Sequence, residues 1–333
     1  MADKVRWGIM STSRHAARVL IPALHASERS EVAAVASRDA ELARQYADEN
    51  RIPTSYGSYE DLLADPNVDV VYIPLPNNLH KTWGLRAAQA GKHMLCEKPF
   101  ALNADEAQTM VQAFRTAGLK AAEAFQWRPH PQGQRTRELV RQGAIGDLLL
   151  IDAGFSFPLE RPDDFRWIPE LGGGALYDIG CYPISLTRFI TGQEPLSVTA
   201  QAHWNKSGAD DLVVATLEFP GGVFAHINCS FLLPLRRYFE VIGTGGSLEV
   251  NRAYNPVDIA DDVITRRGPD REVIEQIPLP KQNSYALMVE DFSAAVLEDR
   301  DPMFPAEDAV LNMRVIDAIF QAVREGRRVE VAR

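Results

Sequence analysis

The residues best suited to chemistry fall in two short runs. In the first, Met94-Leu95-Cys96 ends in Glu97-Lys98-Pro99. An apolar run that stops at a carboxylate, an ammonium and a proline reads as a buried parallel strand whose carboxyl end opens into a crevice. Ligands of open α/β sheets bind outside such ends. A lysine there can hydrogen-bond a reacting oxygen or share its proton. In the second run, Gly172-Gly173-Gly174-Ala175-Leu176-Tyr177-Asp178-Ile179-Gly180-Cys181-Tyr182-Pro183, Asp178 and Tyr182 stand four apart. On a helix both turn to one side, where a carboxylate and a phenol can bind a polyol and act as acid and base. The three glycines let the backbone crowd a ligand or a neighbouring strand. Taken singly, each run has a plainer reading: a solvated ion pair before a turn proline, or a first-turn carboxylate and a core tyrosine.

These runs need elements to hold them. Val5 to Met10 reads as a strand entering Ser11-Thr12-Ser13-Arg14-His15-Ala16, and a helix pattern follows with Ala16, Val19, Leu20, Ala23 and Leu24 on one face. Strand, tight polar turn and helix open a dinucleotide fold, whose usual fingerprint is G-x-G-x-x-G/A. Ser11 and Ser13 stand at its first two glycine positions and Ala16 at the third. Hydroxyls can cap the helix and join its free N–H groups in binding an anion. Ser11, Thr12, Ser13, Arg14 and His15 are therefore candidate cofactor contacts, against the plainer reading of a Ser/Thr cap.

A second strand, Glu31 to Ser37, ends at Ser37-Arg38, where an acidic residue would hold the 2′-hydroxyl of NAD. Asp39 reads instead as the cap of a helix from Ala40 to Asn50. An arginine and a hydroxyl suit a 2′-phosphate, so NADP(H) is expected over NAD(H); the bland alternative for Arg38 is a surface arginine. A third strand, Asp69 to Pro74, leads into Pro74-Leu75-Pro76-Asn77-Asn78-Leu79-His80. Pro74, Leu75, Asn77 and His80 join the candidate cofactor contacts, as does Glu97, although His80 also fits as a simple polar helix start. A helix to Ala90, the strand at Met94, a helix from Asp105 to Ala117 and a strand near Lys120 to Ala124 complete a strict alternation. That pattern means a doubly wound parallel sheet with right-handed crossovers, a Rossmann domain over 1–125.

After Phe125 the character changes. Gln126-Trp127-Arg128-Pro129-His130-Pro131 is a stiff connector whose Gln126, Trp127 and Arg128 are further candidate cofactor contacts, and one helix follows to Gln142. Strand-like runs then come close together: Asp147 to Phe157, Ser197 to Trp204, Leu212 to Phe219, Val223 to Cys229, Tyr238 to Ile242 and Ser247 to Val250. Strands without helices between them imply an antiparallel sheet, so 126–333 is expected to be an α+β domain with a large, mainly antiparallel open sheet. Tyr285 to Leu297 and Ala306 to Arg324 read as amphipathic helices. A long insertion, 157–171, precedes the glycine run, and such loops tend to be functional. Its Arg161, Arg166 and Trp167 are second-rank candidates for substrate contacts, with a surface or interface loop about equally probable.

Bulk properties narrow the classes. The 333 residues are too many for one ordinary core. With 46% hydrophobic residues the chain is globular rather than disordered. A net charge of −10 argues against nucleic acid and anionic membranes as partners. No apolar run approaches the ~20 residues that span a bilayer, and the amino terminus lacks the pattern of a signal peptide. Three widely spaced cysteines fit a reducing cytoplasm. The seven histidines show no metal-ligand spacing, so no metal is expected.

Glu97-Lys98-Pro99 after the fourth strand, together with Gly-Gly-Gly-x-Leu-x-Asp-Ile-Gly-x-Tyr in the second domain, resembles the glucose-fructose oxidoreductase and inositol dehydrogenase (Gfo/Idh/MocA) family. The resemblance covers essentially the whole chain, from Arg6 to Glu330. It implies a Rossmann domain, a second domain whose sheet builds a homodimer or homotetramer, and oxidation or reduction of sugars, cyclitols or diols with NAD or NADP. It implies that Lys98 contacts the substrate hydroxyl and the nicotinamide ribose, that Asp178 orients the substrate and that Tyr182 is the acid/base. Tyrosine rather than histidine there places the chain with the glucose-fructose oxidoreductase, xylose dehydrogenase, dihydrodiol dehydrogenase and sugar ketoreductase branch. Three readings follow: an NADP-dependent, xylose-like aldose or dihydrodiol dehydrogenase; a keto-sugar reductase, with a nucleotide-linked substrate left open by Arg236-Arg237 and Arg266-Arg267; and a non-catalytic cofactor sensor of the same fold. Intact Lys98, Asp178 and Tyr182 argue against the last.

Overall fold

A computed structural model describes residues 4–254 and 263–332. It divides into two compact units, Met1–Phe125 with Asn283–Val310, and Gln126–Gln282 with Leu311–Arg333.

The first unit is built on six parallel strands: β1 Val5–Met10, β2 Ser30–Ala36, β3 Thr54–Tyr56, β4 Val70–Ile73, β5 His93–Cys96 and β6 Ala121–Glu123. Their order is β3-β2-β1-β4-β5-β6, the doubly wound dinucleotide-binding arrangement. The sheet is buried because helices cover both faces of a parallel sheet: Trp7, Ile9, Val35, Val71, Tyr72 and Met94 are fully enclosed. Capping fixes where the helices start. Asp39 accepts from Glu41 N and Leu42 N at 2.9 and 3.1 Å ahead of Ala40–Asn50, and Asn103 accepts from Glu106 N at 2.9 Å ahead of Ala104–Ala117. Gly118, left-handed at φ 66°, stops the latter.

The first helix departs from its expected face. Ala16–Leu20 is a π turn followed by Ile21–Ala26. The wider turn rotates Ile21 inward and leaves Val19 half-buried. β3 and helix Tyr59–Ala64 are too short and too mixed in burial to leave a pattern in the sequence.

The expected domain 126–333 lacks 283–310. Helix Ser284–Leu297 packs in the first unit, where the Trp7 indole donates to Ser293 Oγ at 3.2 Å, Ser293 Oγ meets Ser30 Oγ at 2.8 Å, and the Phe292 ring lies 5.6 Å from that of Trp7. An apolar helix face says that a sheet covers it but not which sheet.

The second unit carries nine strands: β7 Leu148–Ser156, β8 Ser197–Trp204, β9 Asp210–Phe219, β10 Val223–Ser230, β11 Arg236–Gly243, β12 Gly246–Val250, β13 Val263–Arg267, β14 Val273–Pro278 and β15 Val329–Glu330. The order is β14-β13-β12-β11-β7-β10-β9-β8-β15, and the β7–β10 pair is parallel within an otherwise antiparallel sheet. Alternation divides its faces. Ile151, Ala153, Val213, Ala215, Ala225, Ile227, Phe239 and Val241 are buried, while Thr216, Phe224 and His226 are exposed. Helix Cys181–Thr191 lies on the buried face. β13, β14 and β15 were not foreseen: β14 is exposed at nearly every position, so its pairing rests on backbone hydrogen bonds rather than a hydrophobic pattern.

Candidate active site

In the first unit the fingerprint turn follows β1. Ser11 has φ 153°, backbone that favours glycine. Ser13 Oγ accepts from Ala16 N at 3.3 Å, and Ser13 O accepts from the Tyr46 hydroxyl at 2.7 Å. Burial pushes that phenol up to about 12, so it stays a donor. Thr12 is half-buried and Arg14 exposed. At the end of β2, Ser37 is buried and its Oγ accepts from Asp39 N at 3.2 Å. Arg38 is exposed and makes no hydrogen bond or ion pair among the described residues.

Beyond β4, the Pro74–His80 loop is tied down by its own histidine. His80 is fully enclosed, with its ring nitrogens 2.9 Å from Pro99 O and from Leu75 O. Burial lowers its pKa. The imidazole links this loop to the turn that bears Lys98. Asn77 is buried, and the Oδ1 of its neighbour Asn78 is buried with no hydrogen-bond partner among the described residues. At the end of β5, Glu97 Oε1 accepts from the Tyr72 hydroxyl at 2.5 Å and lies 3.9 Å from His15 Nε2. Burial, then the Glu97 charge, keeps Tyr72 protonated. His15 Nε2 also meets the Tyr285 hydroxyl at 3.2 Å. The structure thus gathers His15, Tyr72, Glu97 and Tyr285; Tyr285 escaped the sequence because it lies so far along the chain. Lys98 is half-buried and its peptide bond to Pro99 is cis.

In the second unit, Asp178 and Tyr182 lie on one continuous helix, but through a π turn, Leu176–Gly180, that precedes Cys181–Thr191. Such turns are frequent at functional sites. Both residues are buried, at 8% and 7% exposure. Asp178 Oδ2 accepts from Arg166 Nε at 2.7 Å, and Arg166 also bonds Asp164 Oδ1 at 3.1 Å. The Asp178 charge, working against burial, raises the Arg166 pKa. The Tyr182 ring is flanked by Phe155 and Tyr254 at centroid distances of 5.5 and 5.6 Å. Arg237 on β11, whose pKa burial lowers, lies within electrostatic reach of Tyr182.

The other expected substrate contacts separate. Arg161 pairs with Asp164 at 2.8 Å and is mainly exposed, whereas Trp167 packs its ring 5.3 Å from Phe231 and donates to Arg161 O at 3.0 Å. Gln126, Trp127 and Arg128, expected at the cofactor, are buried in this unit at 2–3% exposure. Gln126 donates to Tyr254 O at 2.8 Å, Trp127 stacks edge-on to Phe189 at 5.7 Å, and Arg128 reaches Ser185 Oγ at 2.8 Å. Trp127 and Arg128 thus pack against helix Cys181–Thr191. Among the described residues no group of His, Cys, Asp and Glu is placed to hold a metal ion.

A dinucleotide-binding parallel sheet and a second unit with a buried carboxylate–phenol pair define a nicotinamide-dependent oxidoreductase. The comparisons agree. The family model described as "Oxidoreductase family, NAD-binding Rossmann fold" matches residues 5–125, and that of the GFO/IDH/MocA C-terminal domain matches 134–249. The chain belongs to the GFO/IDH/MocA oxidoreductases. It is 39% identical to D-xylose 1-dehydrogenase (NADP(+)) 2 of Haloferax volcanii over 326 residues, 98% of this chain and 99% of that one. Identity is 37% over 259 residues with trans-1,2-dihydrobenzene-1,2-diol dehydrogenase of Mus musculus, 77% of each chain. Among solved structures, aldose-aldose oxidoreductase from Caulobacter crescentus, complexed with glycerol, superposes with TM-score 0.90 at 30% identity, covering 98% and 99% of the two chains. A 3-ketoreductase from Actinomadura kijaniata with NADP and TDP-benzene gives TM-score 0.91 at 31% identity, covering 96% and 98%.

Proposed function

We propose that this oxidoreductase transfers hydride between NADP(H) and a carbinol or carbonyl carbon of a sugar or related diol, with an aldose such as xylose as the substrate type. The observation that carries this reading is the buried Asp178, paired with Arg166 of the preceding loop, on the helix that also bears Tyr182, in a chain so similar along its length to a xylose dehydrogenase. No helix of the described residues is long and apolar enough to cross a membrane; we infer a cytoplasmic enzyme, assembled as a homodimer or homotetramer through the half-polar outer face of the nine-stranded sheet.

The residues present suit the cofactor. Ser11 already holds a glycine-like backbone, Ser13 caps the helix start, and the buried Asn78 Oδ1 lacks a donor. Ser11, Thr12, Ser13, Arg14 and His15 would hold the pyrophosphate on the helix N-terminus. Ser37 and the unpaired Arg38 would hold a 2′-phosphate, which favours NADP(H). Pro74, Leu75, Asn77 and Glu97 would line the nicotinamide half.

When bound, the nicotinamide takes up or gives back the hydride. Lys98 hydrogen-bonds the reacting oxygen, and Tyr182 takes its proton during oxidation and returns it during reduction. A free tyrosine titrates near 10. A cation favours the phenolate, and Arg237 is one within reach of Tyr182. Asp178, oriented and kept ionised by Arg166, holds a neighbouring hydroxyl. The A. kijaniata ketoreductase has been solved in separate structures with a lysine and with a tyrosine replaced, the two positions separated by the same number of residues as Lys98 and Tyr182. Absorbance of the nicotinamide with NADP⁺ or NAD⁺ across aldoses, cyclitols and aromatic dihydrodiols tests the reading: NADP⁺ reduction on an aldose is expected, lost in Lys98→Ala.

A second reading, reduction of a nucleotide-linked keto-sugar, has its own support. The chain is 32% identical over 327 residues to a dTDP-sugar 3-reductase of A. kijaniata, and Arg236 and Arg237 on β11 are suitable for a diphosphate.

A further inference from the structure

The active helix has no cap of its own. It follows Gly172-Gly173-Gly174, and Ala175, at its N-cap position, offers no side-chain oxygen. The acceptor comes instead from Asp210, at the start of β9. Asp210 Oδ2 accepts from Leu176 N at 2.7 Å, and Ala175 N donates to the same carboxylate. The glycines make room for it. A Cβ on Gly174, where φ is 118°, would lie 2.0 Å from Asp210 Oδ1, and one on Gly173 would lie 2.6 Å from Arg166 O. The same glycines donate back into the preceding loop, Gly173 N to Ile168 O at 3.0 Å and Gly174 N to Arg166 O at 2.9 Å. One carboxylate therefore fixes the start of the helix that carries Asp178 and Tyr182, and the glycines before it tie that start to the backbone of Arg166, the partner of Asp178. A helix N-terminus favours a charged acceptor, and here the acceptor is 1% exposed.

We propose that ionised Asp210 is a positioning residue of the active site, the latch that sets Asp178, Arg166 and Tyr182 in register. The proposal rests on the functional reading above for the roles of those three side chains. Burial, then the neighbouring Asp211 charge, works against ionisation, and three backbone N–H groups work for it; the balance leaves Asp210 at about 6. The groups around it are Asp211, bonded to His203 on β8 at 2.6 Å; Cys229 on β10, whose thiol burial keeps protonated; and Asp178 on the helix, held by Arg166.

The test uses the full chain. Amide hydrogen exchange of Ala175 and Leu176, corrected for intrinsic rates, should lose about tenfold in protection in Asp210→Ala, the size of a lost helix cap, and regain most of it in Asp210→Asn, which keeps an acceptor oxygen. With NADP⁺ and D-xylose, kcat of Asp210→Ala should fall about tenfold while KM for NADP⁺ holds, and Asp210→Asn should restore most of it. Protection that ignores the Ala substitution overturns the latch. So does an Asp210→Ala enzyme with wild-type kcat when Tyr182→Phe is inactive. If exchange behaves as described but Tyr182→Phe turns over normally, the latch stands and the catalytic assignment fails.

Discussion

Arg166 Nε donates to Asp178 Oδ2 across 2.7 Å, and Arg166 is held in turn by Asp164. The pair keeps a carboxylate ionised at a position only 8% exposed, which an isolated Asp178 would resist. Arg166→Gln should therefore lower kcat/KM by about 10-fold or more, the cost of an unpaired buried charge. Steady-state kinetics of the variant beside wild type check this.

Arg38 makes no ion pair among the described residues at the end of β2. Arg38→Ala should raise KM for NADP⁺ about 10-fold or more, since charge-assisted hydrogen bonds to the phosphate are lost, and leave KM for NAD⁺ nearly unchanged. Titration of the two cofactors against wild type and variant separates this from a general loss of affinity.

Ser11, at φ 153°, carries a side chain on glycine-like backbone. Ser11→Gly should stabilise the first unit by about 1 kcal/mol, seen as a higher urea midpoint, with equal or tighter NADP⁺ binding.

Two buried groups oppose each other in acid. Burial lowers His130 to about 4, and its Nδ1 accepts from Gln132 N at 3.2 Å to cap helix Pro131–Arg141. The unfolded chain binds that proton first, so this contribution is complete above the ordinary 6.5 and is lost as pH falls towards 4. Asp210 has the reverse sign. Raised from 3.8 to about 6, it contributes stability below 3.8 that is lost as pH rises through 6, by at most ~3 kcal/mol. Asp210→Asn should thus gain stability relative to wild type between pH 4 and 7. Urea unfolding across that range measures both slopes, and a variant less stable at pH 7 than at pH 4, relative to wild type, would contradict the sign.

Much of this was legible because each signal was local. Abrupt ends of apolar runs located β1, β4 and β5, and with them the turns bearing Ser11 and Lys98. The cap at Asp39 and the close-spaced strands of the second unit were equally plain. What escaped depended on residues far apart in sequence. Nothing in Gly172-Gly173-Gly174 says that the crowding neighbour is Asp210, and nothing near Tyr285 says that it meets His15. The π turns at Ala16 and Leu176 shift a helix face by one residue, which a fixed period cannot register. The contacts of His80 with Pro99 O and of Trp127 with Phe189 likewise join residues far apart in sequence.

The central claim is that Lys98 and Tyr182 serve one hydride transfer dependent on NADP(H). The most direct measurement is NADP⁺ reduction by a panel of aldoses that includes D-xylose, run with wild type, Lys98→Ala and Tyr182→Phe, each checked for NADPH binding. An active wild type, with both variants at least about 100-fold slower in kcat and still binding NADPH, is the predicted result. An active wild type whose turnover survives Tyr182→Phe would contradict the account.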